Sequence, residues 1–288
     1  MTPGNYTFTV SNSSGCSSTA TTQITINAQP TTPVIPTFGS VSQPTCIDQG
    51  SVQITNFNSN AIYVFVPSVG INVVTPDLIK GSSGTYKVVA EENGCSSDTV
   101  VLSFEAVPNQ PVLDGQNTLC INETSQLSAW LDASKSSSAL PNTLNPWVSS
   151  FTNIASVSNT GLVTAVSQGN TIITFTDDKG CQQSINVIVN SSPTKGNTIS
   201  VTSNGPFCVN GTGVFTVSGG ESNGSVKYKI DNGTEQIQVL DNLGSATINV
   251  GNITTSKSIV LTSIVTSSGC SSVITSATAS ATITINPT

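Results

Sequence analysis

Four times along this chain a glycine and a cysteine close a short polar turn: Gly15-Cys16, Gly94-Cys95, Gly180-Cys181 and Gly269-Cys270. These cysteines follow one another at steps of 79, 86 and 89 residues. The other three open a recurring tripeptide, as Cys46-Ile47-Asp48, Cys120-Ile121-Asn122 and Cys208-Val209-Asn210. Recurrence at a period this long is the mark of a tandem array of small independent modules, and 288 residues suit two or three of them. The boundaries expected are 1–28 for the C-terminal part of a truncated module, then whole modules at 29–108, 109–191 and 192–288. Tyr6 to Asn27 reads as the last strands of a module whose opening strands, with the partner of Cys16, precede Met1.

Period-two alternation is common and helical periodicity nearly absent, so the class is all-β. Val226, Tyr228 and Ile230 alternate with Lys227 and Lys229; Asn232-Gly233 then supplies the residues of a type I′ turn, and Ile237 and Val239 resume the alternation. Val52 with Ile54, Tyr63 with Phe65, Tyr86 with Val88, Val101, and Ile172 with Thr174 read as further short strands. Prolines 30, 33, 36, 108, 111 and 193 mark the junctions, where a missing amide donor and a fixed φ stiffen short linkers. A cysteine near an early strand and another near a late one is how the two sheets of an immunoglobulin-like sandwich are stapled. The sequence therefore predicts one disulfide inside each module, Cys46–Cys95, Cys120–Cys181 and Cys208–Cys270, with Cys16 unpaired.

Only 8% of the residues are charged, the net charge is −7, and the chain has no arginine and no histidine. That argues against nucleic acid as a partner, because the usual phosphate-binding equipment is missing. Paired cysteines in several small β modules point to an oxidising compartment outside the cytoplasm. Thiolate metal binding fits poorly, with no CxxC spacing and no histidine to complete a tetrahedral site. No apolar run approaches the ~20 residues of a membrane span. The segment Met1 to Tyr6 lacks the basic and apolar regions of a signal peptide, so a secreted parent would carry its signal upstream.

Two resemblances rest on particular residues. Gly84-Thr85-Tyr86-Lys87-Val88 leading to Asn93-Gly94-Cys95, and Gly4-Asn5-Tyr6-Thr7-Phe8-Thr9-Val10 leading to Gly15-Cys16, resemble the Gly-x-Tyr-x-Val…Asn-Gly-Cys repeat of large Bacteroidetes surface adhesins, including SprB-type gliding-motility adhesins. The third module departs from that pattern, having Ile259 to Val265 where the Gly-x-Tyr strand would stand. Trp147-Val148-Ser149, Ala155-Ser156-Val157 and Thr160-Gly161-Leu162-Val163-Thr164-Ala165 resemble the bacterial Ig-like group 2 domain of invasin and intimin stalks. The resemblances imply an outer-membrane-anchored extracellular filament, exported by the type IX secretion system, that serves gliding motility or attachment. Its partners would be neighbouring modules of the same filament and surface polysaccharide.

Candidate sites are sparse. Without histidine, catalysis would fall to lysine or carboxylates, and the adjacent acids Asp177-Asp178 and Glu91-Glu92 read as solvated turn residues; no enzyme and no cofactor is expected. Calcium would have to use Glu105 and Asp114 near a junction, a thin ligand set. The rival to a structural role is a carbohydrate- or protein-binding module, with Trp130 as the possible ligand contact and Trp147, Tyr63 and Tyr228 behind it; Trp147 and Trp130 also suit the core. Asp98-Thr99-Val100 looks like the Bacteroidetes O-glycosylation acceptor, which makes Thr99 a possible modification site.

Overall fold

The computed structural model describes residues 2–20, 23–142 and 144–286; Met1 and Pro287 lie outside them. Every regular element described is a β-strand, and the strands form immunoglobulin-like sandwiches around three separate apolar clusters. No helix among the described residues is long and apolar enough to cross a membrane. By internal contacts the chain forms two units, Met1–Asn109 with Lys179–Cys181, and Gln110–Asp178 with Gln182–Thr288.

In the first unit the N-terminal segment is a two-stranded antiparallel pair, Gly4–Tyr6 against Ile24–Ile26. None of the described residues up to 28 is buried. The sandwich beyond it has a three-stranded sheet, Gly50–Gln53, Leu78–Gly81 and Ile71–Val73, facing a four-stranded one. That second sheet is built on the nine-residue strand Gly84–Glu92, which pairs with Ile62–Val66, Cys95–Ser96 and Val100–Phe104. Val52, Ile54, Phe65, Ile79, Tyr86, Val88, Leu102 and Phe104 fill the space between. Phe104 needs a bare backbone opposite it. A Cβ built on either Gly50 or Gly81, which are cross-strand partners, would stand 2.3 Å from its ring.

The Gly-x-Tyr motif has a structural meaning. Tyr86 donates its hydroxyl to the carbonyl of Ser82 at 3.0 Å, and Tyr6 donates to the carbonyl of Thr2 at 2.6 Å, both four residues back. Such a corner fixes the entry of a late sandwich strand.

The second unit holds two sandwiches. In the first, Gln182–Asn190 and Gly169–Thr176 pair antiparallel, flanked by Trp147–Ser149 and by Thr118–Cys120, which runs parallel to Gln182–Asn190. Thr124–Gln126, Leu162–Ala165 and Ala155–Val157 make the opposing sheet. In the second, Ser200–Ser203, Gly211–Ser218 and Ala246–Ile253 face a sheet centred on Lys257–Val265, which pairs with Ser225–Ile230, Ser271–Val273 and Ser280–Ile283. The expected strands are present, but the phase of two differs. Thr171, Ile173 and Phe175 face inward while Ile172 is exposed, and Leu102 is buried while Val101 is exposed. In Ser/Thr-rich strands the β-branched residues on the wet face mask the alternation.

The hairpin at 226–239 forms with its turn one residue earlier than expected. Asp231 and Asn232 carry the positive φ values, 47° and 58°, and the Gly233 amide closes the turn on the Ile230 carbonyl. Asp231 takes that place because its carboxylate is anchored, accepting from the Lys257 ammonium and the Ser258 amide, each at 2.8 Å.

Two predictions follow from this packing. Gly81→Ala adds a methyl where Phe104 leaves no room and lowers stability by about 1–3 kcal/mol in a urea titration, whereas Gly94→Ser, whose Cβ meets open space, suffers only the backbone penalty of a positive φ. The lysine and amide partners of Asp231 hold its carboxyl below the ordinary carboxylate value of 3.8. That contribution is complete above the unfolded value and is lost as pH falls through the folded one, so Asp231→Asn flattens the acid limb of the stability profile.

Candidate functional site: the cysteines that join modules

The chain has two disulfides, Cys46–Cys181 and Cys120–Cys270, with Cα separations of 5.0 and 5.6 Å, and Cys16, Cys95 and Cys208 are free. Each bridge runs from the early cysteine of one module to the late cysteine of the following one. The predicted bonds Cys46–Cys95, Cys120–Cys181 and Cys208–Cys270 do not form, and with them goes the expectation of one intramodule staple per sandwich.

Strand register explains why. Gly50 pairs with Gly81 and Gly84 with Phe104, so Cys46 lies at the end of the module where strand Gly84–Glu92 begins; Cys95 pairs with Glu92, where that strand ends. Cys120 pairs with Asn190 at the finish of Gln182–Asn190, and Cys181 immediately precedes its start. Phe207, next to Cys208, bridges Ile285 close to the Lys257↔Ile283 pair, while Cys270 lies just past Val265↔Ser271. In every module the two cysteines are a full strand apart, about 25 Å, against the 4.4–6.8 Å that a disulfide spans.

Local geometry places each sulfur at a module end. All four late cysteines follow a glycine of positive φ: 80° at Gly15, 79° at Gly94, 75° at Gly180 and 94° at Gly269. That conformation is accessible to glycine at little cost and turns the chain so that the next residue stands at the hairpin tip. Cys46 donates its amide to the Lys179 carbonyl at 3.1 Å, and its sulfur lies 3.6 Å from the Pro108 carbonyl. The sulfur of Cys181 is 3.8 Å from that same carbonyl.

The other candidates fall as follows. Trp147 is buried and packs on Phe175 with ring centroids 4.8 Å apart. Tyr228 is buried and donates to Gln236 at 2.8 Å; Tyr63 is half-buried, stacks on Phe57 and accepts from the Asn58 amide. Trp130 is half-buried, and its indole nitrogen is buried without a partner beside a 320 Å³ cleft also lined by Gln126, Ser138, Trp147, Asn159 and Thr160. None of these four aromatics stands exposed as a flat platform for a sugar.

Asp178 is solvated, but Asp177 is 2% exposed and forms a bridge with Pro141, so the pair is not the open turn expected. Glu91 and Glu92 close the strand instead of forming its turn, which belongs to Asn93 and Gly94; Glu92 accepts from Asn58 at 3.0 Å. The carboxylate of Asp114 is 2.6 Å from the Lys135 ammonium, and among the described residues no three His, Cys, Asp or Glu side chains converge on a metal position. Thr99 is exposed beside Asp98, accessible to a modifying enzyme.

With this geometry in view, comparison with known proteins separates one segment from the rest. Residues 106–188 match the bacterial Ig-like domain (group 2) family. The segment includes the buried Trp147. No curated protein matches the chain. Among solved structures, domains 1–6 of the surface-layer protein SbsC align at 15% identity and TM-score 0.31 over all of this chain, which spans 45% of that one. The Escherichia coli adhesin FdeC aligns at 12% identity and TM-score 0.31 over 87% of this chain and 99% of its own. The chicken CNTN1 FN1–FN3 domains align at 12% identity and TM-score 0.32, over 83% and 95% of the two chains.

Thiol titration of the unreduced protein is predicted to find three reactive groups, rising to seven after reduction in denaturant. Peptide mapping will find Cys46 linked to Cys181 and Cys120 to Cys270 and no Cys46–Cys95 peptide. In the chain-entropy view, removing a bridge with a sequence separation of 150 costs about 5 kcal/mol.

Proposed function

We propose that this chain is a load-bearing stalk segment of a secreted cell-surface adhesin, serving attachment or gliding motility at the outer surface of a type IX-secreting bacterium. The observation that carries the reading is the overlap of the two disulfide loops. In chain order the bonded cysteines stand 46, 120, 181, 270, and each loop encloses one end of the other. Support also comes from the group 2 match, from the Gly-x-Tyr…Gly-Cys resemblance, and from cysteine pairing that suits an oxidising exterior.

Overlap has a mechanical consequence. When the chain is pulled taut, the shortest covalent path from Cys46 to Cys270 crosses to Cys181, runs back to Cys120 and crosses again, so only segment 120–181 need extend. If Cys46–Cys181 is lost, the path runs from 46 to 120 and crosses there, which is longer by only about 4 nm at ~3.4 Å per residue. Loss of both bridges releases the whole stretch from 46 to 270, adding about 55 nm. Each bridge is therefore a near-complete backup for the other, a property useful to a tether and of no use to a catalyst or a simple ligand trap.

Single-molecule stretching tests this. Cys46→Ser with Cys181→Ser should lengthen the locked path by about 4 nm, and reduction of the parent by about 55 nm. A gain of about 37 nm from that double variant, as the loss of two independent intramodule loops would give, would refute the reading. The orphan indole of Trp130 beside its cleft supports a second reading, a carbohydrate-binding module. Glycan-array binding that Trp130→Ala abolishes would favour it; no binding to the array leaves the stalk.

A further inference from the structure

The three free thiols divide into the same two kinds as the bonded cysteines, and their surroundings repeat those of bonded counterparts. Cys16 is a late cysteine. In its turn the Asn12 amide donates to the Cys16 carbonyl at 2.9 Å, the Gly15 amide to the Asn12 carbonyl at 3.0 Å, and the Cys16 amide to the Asn12 side chain at 3.0 Å. Around bonded Cys270 the same three bonds recur with Thr266 in the place of Asn12, at 2.8, 3.0 and 3.1 Å. Cys95 is also late, and its sulfur lies 3.8 Å from the Pro30 carbonyl in the linker ahead of its module. The sulfur of bonded Cys181 lies 3.8 Å from Pro108, in the linker ahead of its own module.

Cys208 is an early cysteine. Its carbonyl accepts from the Gly211 amide at 3.2 Å, Asn210 has φ 73°, and the Asn210 amide donates to the Ile253 carbonyl at 3.0 Å. At bonded Cys120 the carbonyl accepts from Glu123 at 2.9 Å, Asn122 has φ 72°, and its amide donates to Ala165 at 3.0 Å. Thus Cys208 is presented as Cys120 is, and both lie beside a parallel pairing with the closing strand, Cys120↔Asn190 in one module and Phe207↔Ile285 in the other.

We propose that Cys208 is a docking point for the late Gly-Cys hairpin of another module of this kind, and that Cys95 and Cys16 are docking points for the early cysteine of another such module. The surface formed is directional, early to late, and so builds an open head-to-tail series in place of a closed dimer. This docking scheme stands whether or not the array is an adhesin stalk. A second copy of this chain carries both kinds of free cysteine and can serve as the partner.

Bond formation needs a two-electron oxidant, for which a low-molecular-weight disulfide such as oxidised glutathione serves. The thiolate of one cysteine displaces glutathione thiolate to form a mixed disulfide. The second cysteine, having given its proton to solvent, attacks the protein sulfur of that mixed disulfide and expels the other glutathione. Two protein thiols are oxidised to one disulfide, and one glutathione disulfide is reduced to two thiols.

The test is incubation of the disulfide-bonded chain, concentrated, in a glutathione redox buffer, followed by non-reducing electrophoresis and peptide mapping. Ladders of oligomers are expected, with Cys208–Cys95 and Cys208–Cys16 peptides in about tenfold excess over Cys208–Cys208, Cys95–Cys95 and Cys16–Cys95. Cys208→Ser should stop the ladder, and Cys16→Ser with Cys95→Ser should stop it equally. Homotypic and heterotypic bridges in comparable amount, a bridge among the three thiols within one chain, or no oligomer while Cys46–Cys181 and Cys120–Cys270 remain intact would each overturn the proposal. Far-UV circular dichroism of the serine variants, unchanged from the parent, separates loss of docking from loss of fold.

Discussion

Two sulfur–sulfur bonds, each joining the beginning of one module's sandwich to the late hairpin of the next, are the constraint on which the rest of this architecture depends. Each module is a thin sandwich whose apolar cluster contains between eight and fourteen buried residues, a small core for its length. In an ordinary sandwich of this size a disulfide would cross the core and stabilise that one domain. Here the cores are left to apolar packing, and the covalent bonds lie beside the short proline-bearing linkers. Stability of the single module and integrity of the series are thereby assigned to different interactions.

The placement follows from strand length. A late hairpin whose central strand is nine residues long carries its turn about 25–30 Å from its base, and a positive-φ glycine ahead of the cysteine sets the sulfur at that far tip. The early cysteine, beside the closing strand, sits at the opposite end of the same sandwich. Neither can reach the other, and each is positioned for a neighbour. Because every module carries both, the bonds overlap along the chain, and that overlap gives the redundancy under load.

Much of the fold was legible in the sequence. The class and the strand positions came from local patterns, alternation and turn residues, whereas the group 2 character of one module and the core role of Trp147 came from the resemblance carried by its Trp-Val-Ser and Thr-Gly-Leu-Val-Thr-Ala runs. The disulfide pairing did not. Regular Cys spacing is satisfied equally by a bond within a module and by one shifted to the next, because both schemes repeat with the same period. The deciding signal was local and present: Asn93-Gly94 is a two-residue hairpin turn, which puts Cys95 at a strand end, whereas a cysteine that staples two sheets must lie mid-strand. The phase of the strand at 169–176 was hidden for another reason, since threonine and isoleucine occur on both of its faces. Burial of Asp177 was masked by its neighbours Asp178 and Lys179, which make the segment read as a solvated loop although it bridges Pro141.

The central claim, that the bonds connect successive modules, is tested most directly by cutting the backbone between them. A protease site placed in the linker after Asn190, cleaved in the folded protein and analysed by mass without reductant, separates the two schemes. If Cys120–Cys270 joins the modules, the cut chain keeps its full mass and falls into two fragments only after reduction. Two fragments before reduction would contradict the account.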